Sequence, residues 1–167
     1  REPRAIKIRR EVSMGPKNSA NEIRLARIFD APVKAVWEAW TDSEQVAQWW
    51  GPRGFTITTH SKDFRAGGHW SYTMHGPDGE VHQHNGTYLA FDEGRRFAST
   101  DAISGDLEPA TPFMIGIWEI APEGTGTSYT ARARHWSEEE AQKHLEMGFN
   151  EGWGACADQL VALCEAC

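Results

Sequence analysis

Between Phe55 and Trp136 apolar and polar residues alternate in short runs, and turn residues separate one run from the next. The pattern predicts six strands: Phe55–Asp63, Gly68–His75, Glu80–Phe91, Arg95–Asp101, Pro112–Ala121 and Thr127–Trp136. Gly76-Pro77-Asp78-Gly79, Asp92-Glu93-Gly94 and Pro122-Glu123-Gly124 supply turns, and Ala102–Thr111 a longer loop. Upstream, Glu22–Asp30 reads as a further strand. Asp30-Ala31-Pro32 stops it and opens a helix, since proline is tolerated in a first helical turn. Val33, Val36, Trp37 and Trp40 form that helix's stripe. Thr41-Asp42-Ser43-Glu44 ends it and caps a second helix, which buries Val46, Trp49 and Trp50 until Gly51-Pro52-Arg53-Gly54 breaks it.

The period changes again at Ser137. Ser137 and Glu140 form a capping box, and Glu138 and Glu139 place negative charge at the positive end of a helix dipole. Leu145, Phe149, Gly152, Cys156, Leu160 and Leu163 follow at steps of three and four, with Trp153, Val161 and Cys164 widening the stripe. The expectation is one helix from Ser137 to about Cys164. Gly148, Gly152 and Gly154 each cost it roughly 1 kcal/mol relative to alanine. They mark close packing on a sheet, a kink, or room left for a ligand. The order of strand, two short helices, six strands and long helix gives an α+β domain in which a curved antiparallel sheet of six to seven strands wraps the last helix.

Composition narrows the classes. At 167 residues, with 40% hydrophobic positions, eight tryptophans and seven phenylalanines, the chain builds one core rich in aromatic area. Residues 1–21 read as an N-terminal tail and linker, in which Ile6 and Ile8 could belong to an edge strand; 22–167 form the domain. Residues 1–22 hold six basic and three acidic groups, so the remainder carries -10 of the net -7. A nucleic-acid partner is therefore not expected. No run approaches a membrane span. Cys156, Cys164 and Cys167 are odd in number and confined to one end, which is no disulfide framework and fits a reducing cytoplasm.

FDAPVKAVWEAWTDSEQVAQWWGP, RAGGHWSYTMHGPDG and GTSYTARAR ahead of a GW-containing helix together resemble one family. It comprises bacterial proteins similar to the C-terminal domain of the activator of the Hsp-90 ATPase (AHSA-type), within the START-like, SRPBCC or birch-pollen-allergen-like superfamily. The resemblance covers roughly Ile23 to Glu165. It implies a helix-grip fold whose sheet and long helix enclose a cavity for a hydrophobic small molecule, with no cofactor and, for most members, no defined reaction.

Alternation assigns side chains to faces. Trp70, Tyr72 and Met74 should face the helix, and His69, Ser71, Thr73 and His75 the solvent. Tyr129, Ala131 and Ala133 alternate with Thr130, Arg132 and Arg134. The expected cavity lining is Trp70, Tyr72, Met74, Trp118, Phe149, Gly152 and Trp153, with Ala131 and Ala133 as a low floor. Nothing in the sequence fixes the facing of Trp118. His82-Gln83-His84 has metal-ligand spacing along a strand, but no further ligand sits at a telling position, so no metal is expected. There is no nucleophile elbow, P-loop or dinucleotide fingerprint. Glu119, His84, Asp101 and Glu151 are candidate cavity acids and bases, though any one of them is more often an ordinary surface group.

Three function classes follow. The first is binding of a hydrophobic or amphipathic, lipid-like molecule by a monomer or homodimer. The second is a co-chaperone-like module of the Hsp-90 activator type, against which counts the separate N-terminal domain that dedicated activators carry. The third is a cavity enzyme, a cyclase or hydrolase.

Overall fold

The computed structural model describes residues 11–14, 20–104 and 107–166. Its elements are β1 (Glu11–Met14), β2 (Glu22–Phe29), α1 (Val33–Thr41), α2 (Ser43–Trp49), β3 (Thr56–Lys62), β4 (His69–His75), β5 (Val81–Asp92), β6 (Arg96–Thr100), β7 (Ile115–Glu123), β8 (Gly126–Arg134), α3 (Glu138–Glu146) and α4 (Phe149–Glu165). All eight strands form one antiparallel sheet in the order β1-β2-β8-β7-β6-β5-β4-β3. The seven expected strands are present. Glu11–Met14, in the stretch read as tail, adds an eighth by pairing with Ala26 to Ile23 of β2. Ile6, Ile8 and Cys167 lie outside the described residues.

Register slips at Thr59/Ser61 and Tyr88/Ala90 insert one extra residue into β3 and into β5. Such bulges bend a strand and raise its twist, which lets the sheet curl around the helices. On the concave face Ile23, Leu25 and Phe29 of β2 meet Tyr129, Ala131 and Ala133 of β8, all buried. Trp40 of α1 wedges among them, its ring 5.0 Å from Phe97 and 6.1 Å from Tyr129. Asp42 caps α2 by accepting from the Glu44 amide at 3.0 Å, the local start signal that the polar run predicts.

The expected single helix is two. Ser137 caps α3 by accepting from the Glu140 amide at 3.1 Å, but α3 stops at Glu146 and α4 begins at Phe149. Gly148 stands between them at φ +102°, the left-handed region that a side chain penalises. The apolar stripe runs through this joint because both helices cover the same sheet, so periodicity alone could not reveal it. α4 is about 25 Å long at 1.5 Å per residue and packs on β2, α1 and α2. Among the described residues no helix is long and apolar enough to cross a membrane.

Candidate functional site

Where α4 leaves the concave face uncovered, a cavity of about 540 Å³ remains. Its walls come from β4 (Trp70, Tyr72, Met74), β5 (His84, Gly86, Tyr88), β6 and its end (Ser99, Thr100, Asp101), Trp118 of β7 and Tyr129 of β8. The segment Trp50-Gly51-Pro52 closes one side, and His144, Met147, Gly152, Trp153 and Cys156 close another. Met147 and Phe113 are exposed large apolar residues in this wall and mark where the cavity reaches the surface.

The rings hold one another in place. Trp118 is sandwiched between Phe97 (4.8 Å, 14°) and Trp153 (5.4 Å, 10°). Its indole lies over Gly116, where a β-carbon would collide with the six-membered ring. Trp50 meets Trp70 at 5.1 Å and Trp118 at 5.3 Å, and its indole N–H donates to the Tyr72 hydroxyl at 3.1 Å. Gln159 of α4 fixes the segment that carries Trp50, donating to the carbonyls of Trp49 (3.0 Å) and Gly51 (2.9 Å). A polar side chain on a helix thereby positions an aromatic wall of the cavity.

Burial dominates the titration of the wall. It raises Tyr72 to about 12, against the Trp50 hydrogen bond that lowers it and with the help of Cys156. The Cys156 thiol rises to about 12 for the same reason, opposed by the Gly51 backbone. Both therefore stay protonated at neutral pH. His84, stacked on Tyr72 at 4.8 Å and 8°, is lowered by burial and by His82 although Asp101 raises it. The Asp101 carboxylate accepts from the amides of Phe113 (2.9 Å) and Met114 (3.3 Å) and so ties the loop end to β6.

At the joint end of the cavity, His135 and His144 are both buried. His135 Nε2 lies 3.0 Å from His144 Nδ1, and His135 Nδ1 lies 3.0 Å from the Phe113 carbonyl. Burial lowers His144 to about 4, with His135 adding to the shift. It lowers His135 too, more than the Phe113 carbonyl and the acids Glu140 and Asp101 raise it.

Of the expected lining, Trp70, Tyr72, Met74, Trp118, Gly152 and Trp153 do line the cavity, whereas Ala131, Ala133 and Phe149 do not. Those three are buried in the packed core beside it. Thr73, expected in solvent, is buried and bonds His60 at 2.6 Å. Among the candidate acids and bases, His84 and Asp101 reach the wall. Glu119 pairs with Arg132, and Glu151 belongs to a smaller cleft with Arg27, Arg53 and Asp158. Among the described residues no three His, Cys, Asp or Glu side chains cluster as metal ligands would. Sequence reasoning missed Trp50, Tyr88, His144 and Cys156 as wall residues; for Trp50 and Cys156 their places in the WWGP run and on the helix stripe were the available signals.

The family model for "Activator of Hsp90 ATPase homolog 1-like protein" matches residues 30–165. No curated protein matches. Among solved structures, a Nitrosomonas europaea protein is 32% identical, with a TM-score of 0.83 over 89% of this chain and 96% of that one. A Mycobacterium smegmatis protein is 29% identical, with a TM-score of 0.76 over 92% and 94%. The AHSA1 protein of Silicibacter pomeroyi, at 22% identity and a TM-score of 0.64 over 84% and 95%, shares the fold.

Proposed function

The chain belongs to the family of activator of Hsp90 ATPase homolog 1-like proteins, and on that footing we propose that it binds an apolar or amphipathic small molecule in the cavity beneath the α3–α4 joint. Family and fold are consistent with a ligand-binding module or with an activator-type module. The observation that favours the ligand is the cavity itself. Its 540 Å³ falls within the range of small-molecule pockets, and four tryptophans, Trp50, Trp70, Trp118 and Trp153, stand in its wall. A solid helix–sheet contact would have needed side chains where Gly152 leaves open space.

The test is native mass spectrometry of freshly purified protein, joined to titration with the uncharged fluorophore N-phenyl-1-naphthylamine. A co-purifying molecule or saturable fluorophore uptake, reduced in Gly152→Leu, is the expected result. Neither a bound molecule nor saturable uptake would end the ligand reading.

A further inference from the structure

The polar atoms of the cavity wall carry a recognition code. The Tyr72 hydroxyl accepts from the Trp50 indole, and among the described residues nothing accepts its own proton. That proton remains available to a ligand oxygen.

The histidine pair supplies the opposite function. A carbonyl oxygen only accepts, so the 3.0 Å contact with Phe113 puts the proton of His135 on Nδ1. In neutral His135, Nε2 is then an acceptor, and His144 Nδ1 must donate across the other 3.0 Å contact. Neutral His144 therefore keeps an unprotonated Nε2. That atom has no partner among the described residues, is not among the atoms sealed inside the packed interior, and belongs to a residue of the cavity wall. The downward shift of both imidazoles, caused by burial, fits this neutral state.

Charge completes the code. Among the described residues no lysine or arginine lines the cavity, while Asp101 does. The ammonium of Lys62 is outside the wall, donating to the Trp40 carbonyl at 2.6 Å and lying over the Phe64 and Trp70 rings. A ligand carboxylate would find no lysine or arginine among the described wall residues, and would face the lone pair of His144.

We infer that the cavity selects an uncharged, largely apolar molecule bearing a hydroxyl group, with His144 Nε2 accepting from that hydroxyl and Tyr72 donating to a ligand oxygen. This rests on the ligand-binding reading above and names the chemical class it takes. A site built to satisfy a hydroxyl rejects the analogue without it, since its own polar atoms then stay unpaired.

Three probes sharing one ring frame separate the two claims: naphthalene, 2-naphthol and 2-naphthoate, measured by equilibrium dialysis at neutral pH. Binding of naphthalene reports the apolar cavity. The ratio between probes reports the code. We expect 2-naphthol to bind at least about tenfold more tightly than naphthalene, and 2-naphthoate more weakly than 2-naphthol by a similar factor. In Tyr72→Phe and in His144→Phe the advantage of 2-naphthol should shrink several-fold while naphthalene binding persists, which also shows that the variants are folded. If one variant fails to retain naphthalene, the other and the wild-type ratios decide. Equal binding of naphthalene and 2-naphthol, or tightest binding of 2-naphthoate, overturns the inference and leaves the ligand reading standing. Binding of none of the three overturns both.

Discussion

Gly152 and Gly154 lie two residues apart on α4 and meet opposite surroundings. A β-carbon at Gly152 would touch nothing within 4 Å, whereas one at Gly154 would stand 3.3 Å from Arg27 Nη2. Arg27 is 2% exposed, and its guanidinium donates to Asp158 at 3.2 Å and to the Ala26 carbonyl at 3.0 Å. One glycine borders the cavity and the other makes room for a buried cation. The pair yields two contrasting expectations.

Gly152→Leu should fill cavity space without overpacking. Helix propensity favours leucine by up to about 1 kcal/mol, so the melting temperature should hold or rise while uptake of an apolar fluorophore drops. A clear loss of thermal stability would mean that the space is not available to a side chain.

Gly154→Leu should do the reverse. The new side chain presses on Arg27 Nη2, 3.3 Å from its β-carbon, and overpacking of this kind costs roughly 1–3 kcal/mol. Chemical denaturation should show that loss with fluorophore binding largely kept. Stability equal to wild type would show that Arg27 moves aside freely.

Gly148→Ala tests the joint between α3 and α4. The nearest group to an added β-carbon is Glu151 Oε2 at 3.5 Å, an ordinary contact, so the cost comes from the backbone at φ +102°. About 1–2 kcal/mol of destabilisation is expected. The measurement is the unfolding free energy in urea, and an unchanged or raised value would contradict the left-handed joint.

The His135–His144 pair predicts acid sensitivity. In the folded chain His144 titrates at about 4, below the ordinary value of 6.5. As pH falls below about 6.5 the unfolded chain takes up the proton first, so stability falls until the folded state also protonates near 4. Melting temperatures at about pH 7.5 and pH 5 should differ in the wild type, and the drop should be smaller in a His135→Leu/His144→Leu variant. An equal drop in both would assign the sensitivity to other groups.

The sequence by itself determined the strands β2 to β8, their turns, the two short helices and the start of α3, because each depends on neighbours a few residues away; β1 lay in the stretch read as tail. Alternation along β4 placed Trp70, Tyr72 and Met74 correctly on the concave face, and the Ser137 cap was legible from Glu140. It also carried the family resemblance. Period-two patterning, however, says which face a residue takes and not what covers that face. Ala131 and Ala133 share the concave side with Tyr72, yet β8 lies next to β2, on which α4 packs, while β4 stands near the far edge of the sheet. The alanines therefore enter the core and Tyr72 the cavity. Likewise the stripe of apolar residues ran unbroken through Met147 and Gly148, since both helices serve one sheet; the left-handed turn appears only in the folded backbone. The meeting of His135 with His144, and of Trp50 with Tyr72, joins separate elements across the fold. Only the tertiary structure could decide those contacts, because the distance between such groups is set by how sheet and helices pack and not by the chain between them.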